Sequence, residues 1–384
     1  MGTISLKESP KDFFTERASD WAANCPSFSV IRPRIALVAP SLDILGGQGV
    51  QACALADELR HEGYAVTFIP INRRFPRGFR WLRQYPFVRT LLNQTLYLPS
   101  LLHLRGTDVV HVFSASYWSF LLAPVPAILA ARSLGKRIVL NYHSGEADDH
   151  LARWGDLVHP WLRLVDEIVV PSEYLRAVFA RHGYRTRVIP NLVDLARFRC
   201  RERTILQPRL LSTRNLEPYY RVDNSLEAFA LLKAQYPDAT LRVAGYGSEE
   251  RRLRRLAASL GVDGIQFLGR VEPSAMASLL DEADIFVNSS VVDNQPVSVL
   301  EAFASGLPVV TTGTGDIAAM VRDGETGLIV PPGDPAAMAK AVTALLENPD
   351  RALWIARGAR REAERYSWPR VREAWAAVYS DVMS

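Results

Sequence analysis

Cysteine is scarce and scattered. Cys25, Cys53 and Cys200 form no CxxC pair, which argues against a disulfide framework or a cysteine zinc site and fits a reducing compartment. The three thiols read as small buried or half-buried side chains. Also missing are GxxxxGK[ST], HExxH, GxSxG and any His/Cys metal spacing. Without a P-loop, the string DEAD at Asp281 to Asp284 reads only as a helix end entering a strand. The N-terminus carries no apolar run of the secretory kind. In the first half, the longest stretch free of Asp, Glu, Lys and Arg is Val109 to Ala131. It contains Pro124 and Pro126, and reads as a strand and a buried helix rather than a membrane span.

Acidic residues are absent between Glu62 and Asp108. Arg73, Arg74, Arg77, Arg80, Arg83 and Arg89 fall in that gap among Phe75, Phe79, Trp81, Tyr85 and Phe87. Basic residues interleaved with aromatics suit an anionic membrane surface; a solvated surface loop and a nucleic-acid contact are the alternatives, and nucleic acid is not expected as a partner.

The 384 residues suggest two domains at roughly 100–200 residues each. Residues 1–32 form a polar lead-in. From Arg34 onward strands and helices alternate: RIALVAP (34–40), AVTFIPI (65–71), DVVHVFS (108–114), RIVLNYH (137–143), EIVVPS (167–172) and RVIPN (187–191) read as strands. The pattern restarts after residues 192–207 with RLLSTRN (209–215), TLRVAGYG (240–247), IQFLGRV (265–271), DIFVNSS (284–290) and LPVVTT (307–312). Continuous apolar strands separated by helices indicate parallel sheets covered on both faces. The expected domains are 33–195 and 196–366, with a helix at 367–384 packing back toward the first.

Ligands in such sheets bind beyond the C-terminal strand ends, here in a cleft between two sheets. That geometry selects residues. Gly46 and Gly47 lie between the first strand and a helix, where backbone can approach an anion, although no GxGxxG is present. His143 ends one strand and Arg214 another, with Arg221 at the next helix start. Gly245 and Gly247 bracket a third strand end, and Arg270 follows a fourth. A guanidinium at such a place can grip phosphate. Glu301 is the only ionisable residue from Ser298 to Val310. A buried carboxylate needs a partner, and a ribose diol can donate two hydrogen bonds to it. The amides of residues 296–299, at that helix's first turn, suit a phosphate, and Asp293 stands near a sugar.

In order along the chain, "GGQGVQACALADELRHEGYAVT", "YHSG", "VVPSEYLRAVF", "VIPNLVDLARF", "VAGYGSEERRL", "FLGRV", "DNQPVSVLEAFASGLPVV" and "VRDGETGLIVPPGD" resemble the GT-B glycosyltransferases of family 4, the retaining group 1 type. The resemblance covers about Arg34 to Pro349. It implies an α/β fold of two Rossmann-like doubly wound domains facing each other across a cleft. It also implies metal-independent, cofactor-free transfer from a UDP- or GDP-linked sugar, with retention, to a glycan or lipid-linked acceptor. By that resemblance Glu301 binds ribose hydroxyls, Asp293 stands at the first Glu of an E-x7-E motif, and Val297 and Ser298 meet the sugar and β-phosphate. Arg214 stabilises the leaving diphosphate, His143 touches the donor sugar, and Gly46–Gly47 face the phosphates. Four positions depart from the family pattern. Asp293 replaces Glu, Tyr220 or Arg221 occupies the place of a lysine, Leu192 replaces Gly, and Ala319 replaces an acid. They leave open a catalytically altered relative or a membrane-bound scaffold. The expected location is cytoplasmic, peripheral on the inner membrane face.

Overall fold

The computed structural model describes residues 32–43, 46–73, 75, 81 and 85–384. Most of the lead-in, Cys25, and Arg74, Arg77, Phe79, Arg80 and Arg83 of the basic stretch lie outside the described residues.

Two six-stranded sheets carry the fold, and every named pairing within them is parallel. The first contains β1 (Ile35–Ala39), β2 (Val66–Pro70), β3 (Val109–Ser114), β4 (Arg137–Tyr142), β5 (Glu167–Val170) and β6 (Arg187–Val188), in the order β2-β1-β3-β4-β5-β6. The second contains β7 (Arg209–Ser212), β8 (Thr240–Ala244), β9 (Ile265–Gly269), β10 (Ile285–Asn288), β11 (Val309–Thr312) and β12 (Leu328–Val330), in the order β12-β11-β10-β7-β8-β9. Each sheet reverses its strand order once, between β1 and β3 and between β7 and β10. Such switch points open a crevice at the C-terminal strand ends.

The period-two alternation of each strand sends its apolar residues to two separate cores. Ile35, Leu37 and Ala39 of β1 join one, while Ala36 and Val38 join the other. In the second sheet Leu210, Ile285 and Val310 face one way, and Leu211, Phe286 and Val309 the other. This two-faced burial is why the strands read as unbroken apolar runs.

The final helix, Trp368–Asp381, covers a face of the first sheet, although its sequence follows the second. Val371, Trp375, Val378 and Tyr379 enter the same core as Ile35 and Leu37. Trp368 Nε1 donates to Glu62 at 3.1 Å, and Arg187 Nη2 pairs with Asp381 at 2.7 Å. Of the described cysteines, Cys53 is half-buried but Cys200 is exposed, contrary to the expected burial; it lies in the irregular segment ahead of β7, outside either core.

Candidate active site

A cleft of about 430 Å³ lies beyond the C-terminal strand ends, with walls from both sheets. That volume is within the usual range for small-ligand sites, about 300–1,000 Å³. Gly46, Gly47, His143, Arg214, Gly245, Arg270, Asp293, Val297, Ser298 and Glu301 all line it, so the chain brings together ten of the residues singled out in its sequence.

Gly247, packed against Leu216, does not line it, and neither does Arg221. Its backbone is left-handed, with φ +45°, and its guanidinium turns to Asp223 at 3.0 Å and Asn224 at 3.1 Å. Tyr219 and Tyr220 line the cleft instead. The Arg214 guanidinium lies 3.9 Å from the centre of the Tyr220 ring, a cation–π contact.

Arg214 follows β7 and Asp293 follows β10, so the switch point of the second sheet sets them side by side. Arg214 Nη2 pairs with Asp293 at 2.6 Å, and Nη1 donates to Ser298 Oγ at 2.9 Å. Both charged side chains are more than nine-tenths buried. Arg214 thus reaches the cleft with its charge already partnered. Gly245 lines the cleft, yet its close approach is to protein: a Cβ there would collide with the Arg214 carbonyl oxygen. A side chain at 245 would push β8 away from the segment that carries Arg214.

Glu301 sits in the helix Val297–Ala304, whose other residues are apolar or hydroxyl-bearing. It is 8% exposed, and among the described residues its carboxylate has no hydrogen bond or ion pair. Burial raises its carboxyl to about 7, opposed by the charge of Arg197. Pro296 begins that helix without a side-chain cap, so the first-turn amides of Val297 and Ser298 remain for a ligand on the cleft side.

On the facing wall, burial lowers the His143 imidazole to about 3, so it is neutral near pH 7. Its ring stacks on Phe113 at 5.1 Å, and Nε2 is buried without a partner. Gly47 is close to the second sheet's wall: a Cβ there would lie 3.5 Å from Val297 Cγ2, whereas one at Gly46 would meet nothing within 4 Å. Arg270 is exposed and straps the two walls, with Nη1 and Nη2 donating to the carbonyls of Asp43 and Leu42 at 2.6 and 2.8 Å.

Sequence reading missed the hydrogen bonds that join the halves beneath the cleft. Gln295 Oε1 accepts from Asn191 N at 2.6 Å, Gln295 Nε2 donates to Pro171 O at 2.9 Å, and Ser172 Oγ donates to Asn294 at 2.5 Å. The only signal was two amides, Asn294 and Gln295, beside Asp293; their partners lie more than 100 residues away.

Of the departures from the family pattern, Leu192 is buried and its backbone bonds to Gln51, so a side chain fits where the pattern has glycine. Ala319 lies outside the cleft lining, on the exposed side of the short helix Ile317–Met320.

Two family models match the chain: Glycosyltransferase Family 4 over residues 45–197 and Glycosyl transferases group 1 over residues 205–362. The phosphatidyl-myo-inositol mannosyltransferase of Mycobacterium leprae is 30% identical, over 91% of this chain and 97% of that protein. The glycogen synthase of Mycobacterium tuberculosis is 31% identical, over 71% of this chain and 68% of that one. Among solved structures, Anabaena Alr3699/HepE in complex with UDP-glucose superposes with a TM-score of 0.72 at 17% identity, covering 91% of this chain and all of that one. The sucrose-phosphate synthase of Thermosynechococcus elongatus gives 0.73 at 19% identity, covering 92% and 99%. The fold, the cleft at facing switch points and these matches agree: the chain belongs to glycosyltransferase family 4 and is a GT-B glycosyltransferase.

Proposed function

We propose that the chain transfers a sugar from a UDP- or GDP-linked donor to a glycan or lipid-linked acceptor, with retention at the anomeric carbon and without a metal ion or cofactor. One observation carries this: a buried, unpartnered Glu301 carboxylate stands four residues into a helix whose uncapped N-terminus opens on the same cleft. A ribose diol satisfies the carboxylate, and the donor diphosphate meets the first-turn amides. HepE was solved with UDP-glucose, a donor of this class.

As the acceptor oxygen bonds to the anomeric carbon, the bond from that carbon to the diphosphate breaks. The acceptor proton leaves to the departing diphosphate or to solvent. Negative charge grows on the leaving diphosphate, where fixed amides and a guanidinium act without reorganising. Arg214 supplies the guanidinium; Asp293 holds it in place and Tyr220 covers it. His143, neutral, lines the cleft where the sugar would sit. Retention goes with the family resemblance and is checked by the anomeric configuration of the product.

A membrane-face acceptor is supported by the helix Pro86–Ser100 and the turn after it. Phe87, Leu91, Leu98 and Leu102 recur on one helical face and are exposed, Phe87 at 92%. The run of arginines before that helix in the sequence also suits an anionic surface. No helix among the described residues is long and apolar enough to cross a membrane, so contact would be peripheral.

The test is a thermal-shift panel of UDP- and GDP-sugars with wild type and Glu301→Ala. A shift in wild type that the substitution abolishes is expected; no shift with any donor would overturn the assignment. Flotation with anionic liposomes tests the membrane arm: Phe87→Ser with Leu91→Ser should release the protein, and unchanged flotation ends that part.

A further inference from the structure

The loop after β4 and the first turn of the helix Ala147–Arg153 hold three acids within four residues, Glu146, Asp148 and Asp149. Two of them have structural work. Asp148 pairs with Arg181 at 2.9 Å. Asp149 pairs with Arg153 at 2.8 Å and accepts from the Tyr117 hydroxyl at 2.6 Å. Glu146 does not: among the described residues its carboxylate takes no hydrogen bond and no ion pair. It is half-buried and lines the cleft. The preceding Gly145 lies so close to the second sheet's wall that a Cβ there would be 3.0 Å from the Asp293 carbonyl carbon. Glu146 is thus held beside the place where the two walls meet.

Its surroundings define what it could hold. Burial raises its carboxyl, and the charge of Asp149 adds to this. Burial raises the Tyr219 phenol, with Tyr220, Glu217 and then Glu146 adding their charge, which places Glu146 in electrostatic reach of the tyrosine pair opposite. Among the described lining residues of the first half, the only other ionisable group is His143, which is neutral. That wall therefore presents one negative charge and no cation. A carboxylate so placed accepts hydrogen bonds from hydroxyls and repels phosphate.

Resting on the transferase assignment above, we propose that Glu146 is a specificity-determining residue that accepts hydrogen bonds from the hydroxyls of an uncharged sugar acceptor and disfavours a phosphorylated one. Glu301 takes the donor's diol on one wall; Glu146 takes the acceptor's hydroxyls on the other.

The experiment uses the full chain, whichever donor gives a thermal shift, and two acceptor sets. The first is octyl glucoside, mannoside and galactoside; the second is glucose 6-phosphate, mannose 6-phosphate and inositol 1-phosphate. Wild type should transfer to a neutral glycoside with kcat/KM about tenfold or more above any phosphorylated acceptor, the discrimination expected of one charged hydrogen-bonding group. Glu146→Gln should raise the acceptor KM about tenfold while kcat stays within about threefold and donor affinity is unchanged, the pattern of lost uniform binding. Glu146→Lys should raise that KM further and lower it for the phosphorylated set. Melting curves and donor shifts confirm that both variants are folded. Transfer to none of the neutral glycosides, a preference for the phosphorylated set, an unchanged acceptor KM in Glu146→Gln, or a loss confined to kcat would each overturn the proposal while leaving the donor assignment standing. No donor shift in wild type would instead remove the transferase assignment, and this inference with it.

Discussion

The two sheets are alike in strand number and direction, and each opens at a single switch point, yet they line the cleft differently. The second sheet brings buried charge: Arg214 with Asp293, and Glu301 alone. The first brings glycines, a neutral histidine and one half-buried acid. One topology therefore supports two chemistries. The charged wall suits a nucleoside diphosphate, and the nearly uncharged wall suits a sugar. Within the charged wall a second contrast appears. Arg214 and Asp293 complete each other, whereas Glu301 is left incomplete until a ligand arrives.

Removing half of the complete pair should have the largest effect. Arg214→Ala leaves Asp293 buried and unpaired, so it should destabilise the fold by about 3–5 kcal/mol. It should also lower kcat by about a hundredfold or more, through loss of leaving-group stabilisation. Chemical denaturation and single-turnover transfer measure the two separately.

Substitution at the incomplete site should move stability the other way. Glu301 has its carboxyl raised from 4.5 to about 7. The folded state therefore favours the protonated form. The stability that goes with this is full below about pH 4.5 and is lost as pH rises through 7. Glu301→Gln should thus be more stable than wild type at pH 8, by on the order of 2–3 kcal/mol, and no more stable at pH 4. Equal melting temperatures at pH 8 would contradict this.

Donor affinity should carry the same signature. The ionised carboxylate is the form that accepts the diol, so wild-type affinity should fall as pH drops below about 7. Glu301→Gln should lack that limb. His143 should contribute no titration between pH 5 and 8, because burial holds it near 3.

The smallest effect should come from the glycine at the first wall. Gly46→Ala meets no protein atom within 4 Å and should leave stability within about 0.5 kcal/mol. Gly245→Ala drives a methyl into the Arg214 carbonyl, so it should lower the melting temperature and reduce kcat about tenfold or more, because small displacements of a positioned group are costly. Similar melting temperatures for the two variants would remove the distinction between a lining glycine and a supporting one.

Much of this was legible in the sequence, for physical reasons. Strands buried on both faces must be apolar throughout, so β1, β3 and β10 could be read directly. β12, with three residues in a loop-rich stretch, could not. Glu301 could be found because one charge in an apolar run has few explanations. Whether Tyr220 or Arg221 faces the cleft depends on one backbone angle, the positive φ of Arg221, which residue type does not set. Asp284 looked like the end of a meaningless string. In the fold it is fully buried, with Arg201, Arg203 and Arg209 around it. The clasp of Gln295 with Asn191, 104 residues apart, is likewise a product of tertiary pairing that no local pattern encodes.

Donor recognition rests on Glu301 being completed by a ribose diol, and a double-mutant cycle tests it most directly. Calorimetric Kd values would be measured at pH 8 for UDP and GDP and for their 2′,3′-dideoxy forms, with wild type and Glu301→Gln. Deleting the diol should weaken binding to wild type about tenfold or more, and binding to the variant about threefold or less, a coupling of the size expected for hydrogen bonds to a charged group. Equal losses in both proteins, or no binding of either diphosphate to wild type, would contradict it.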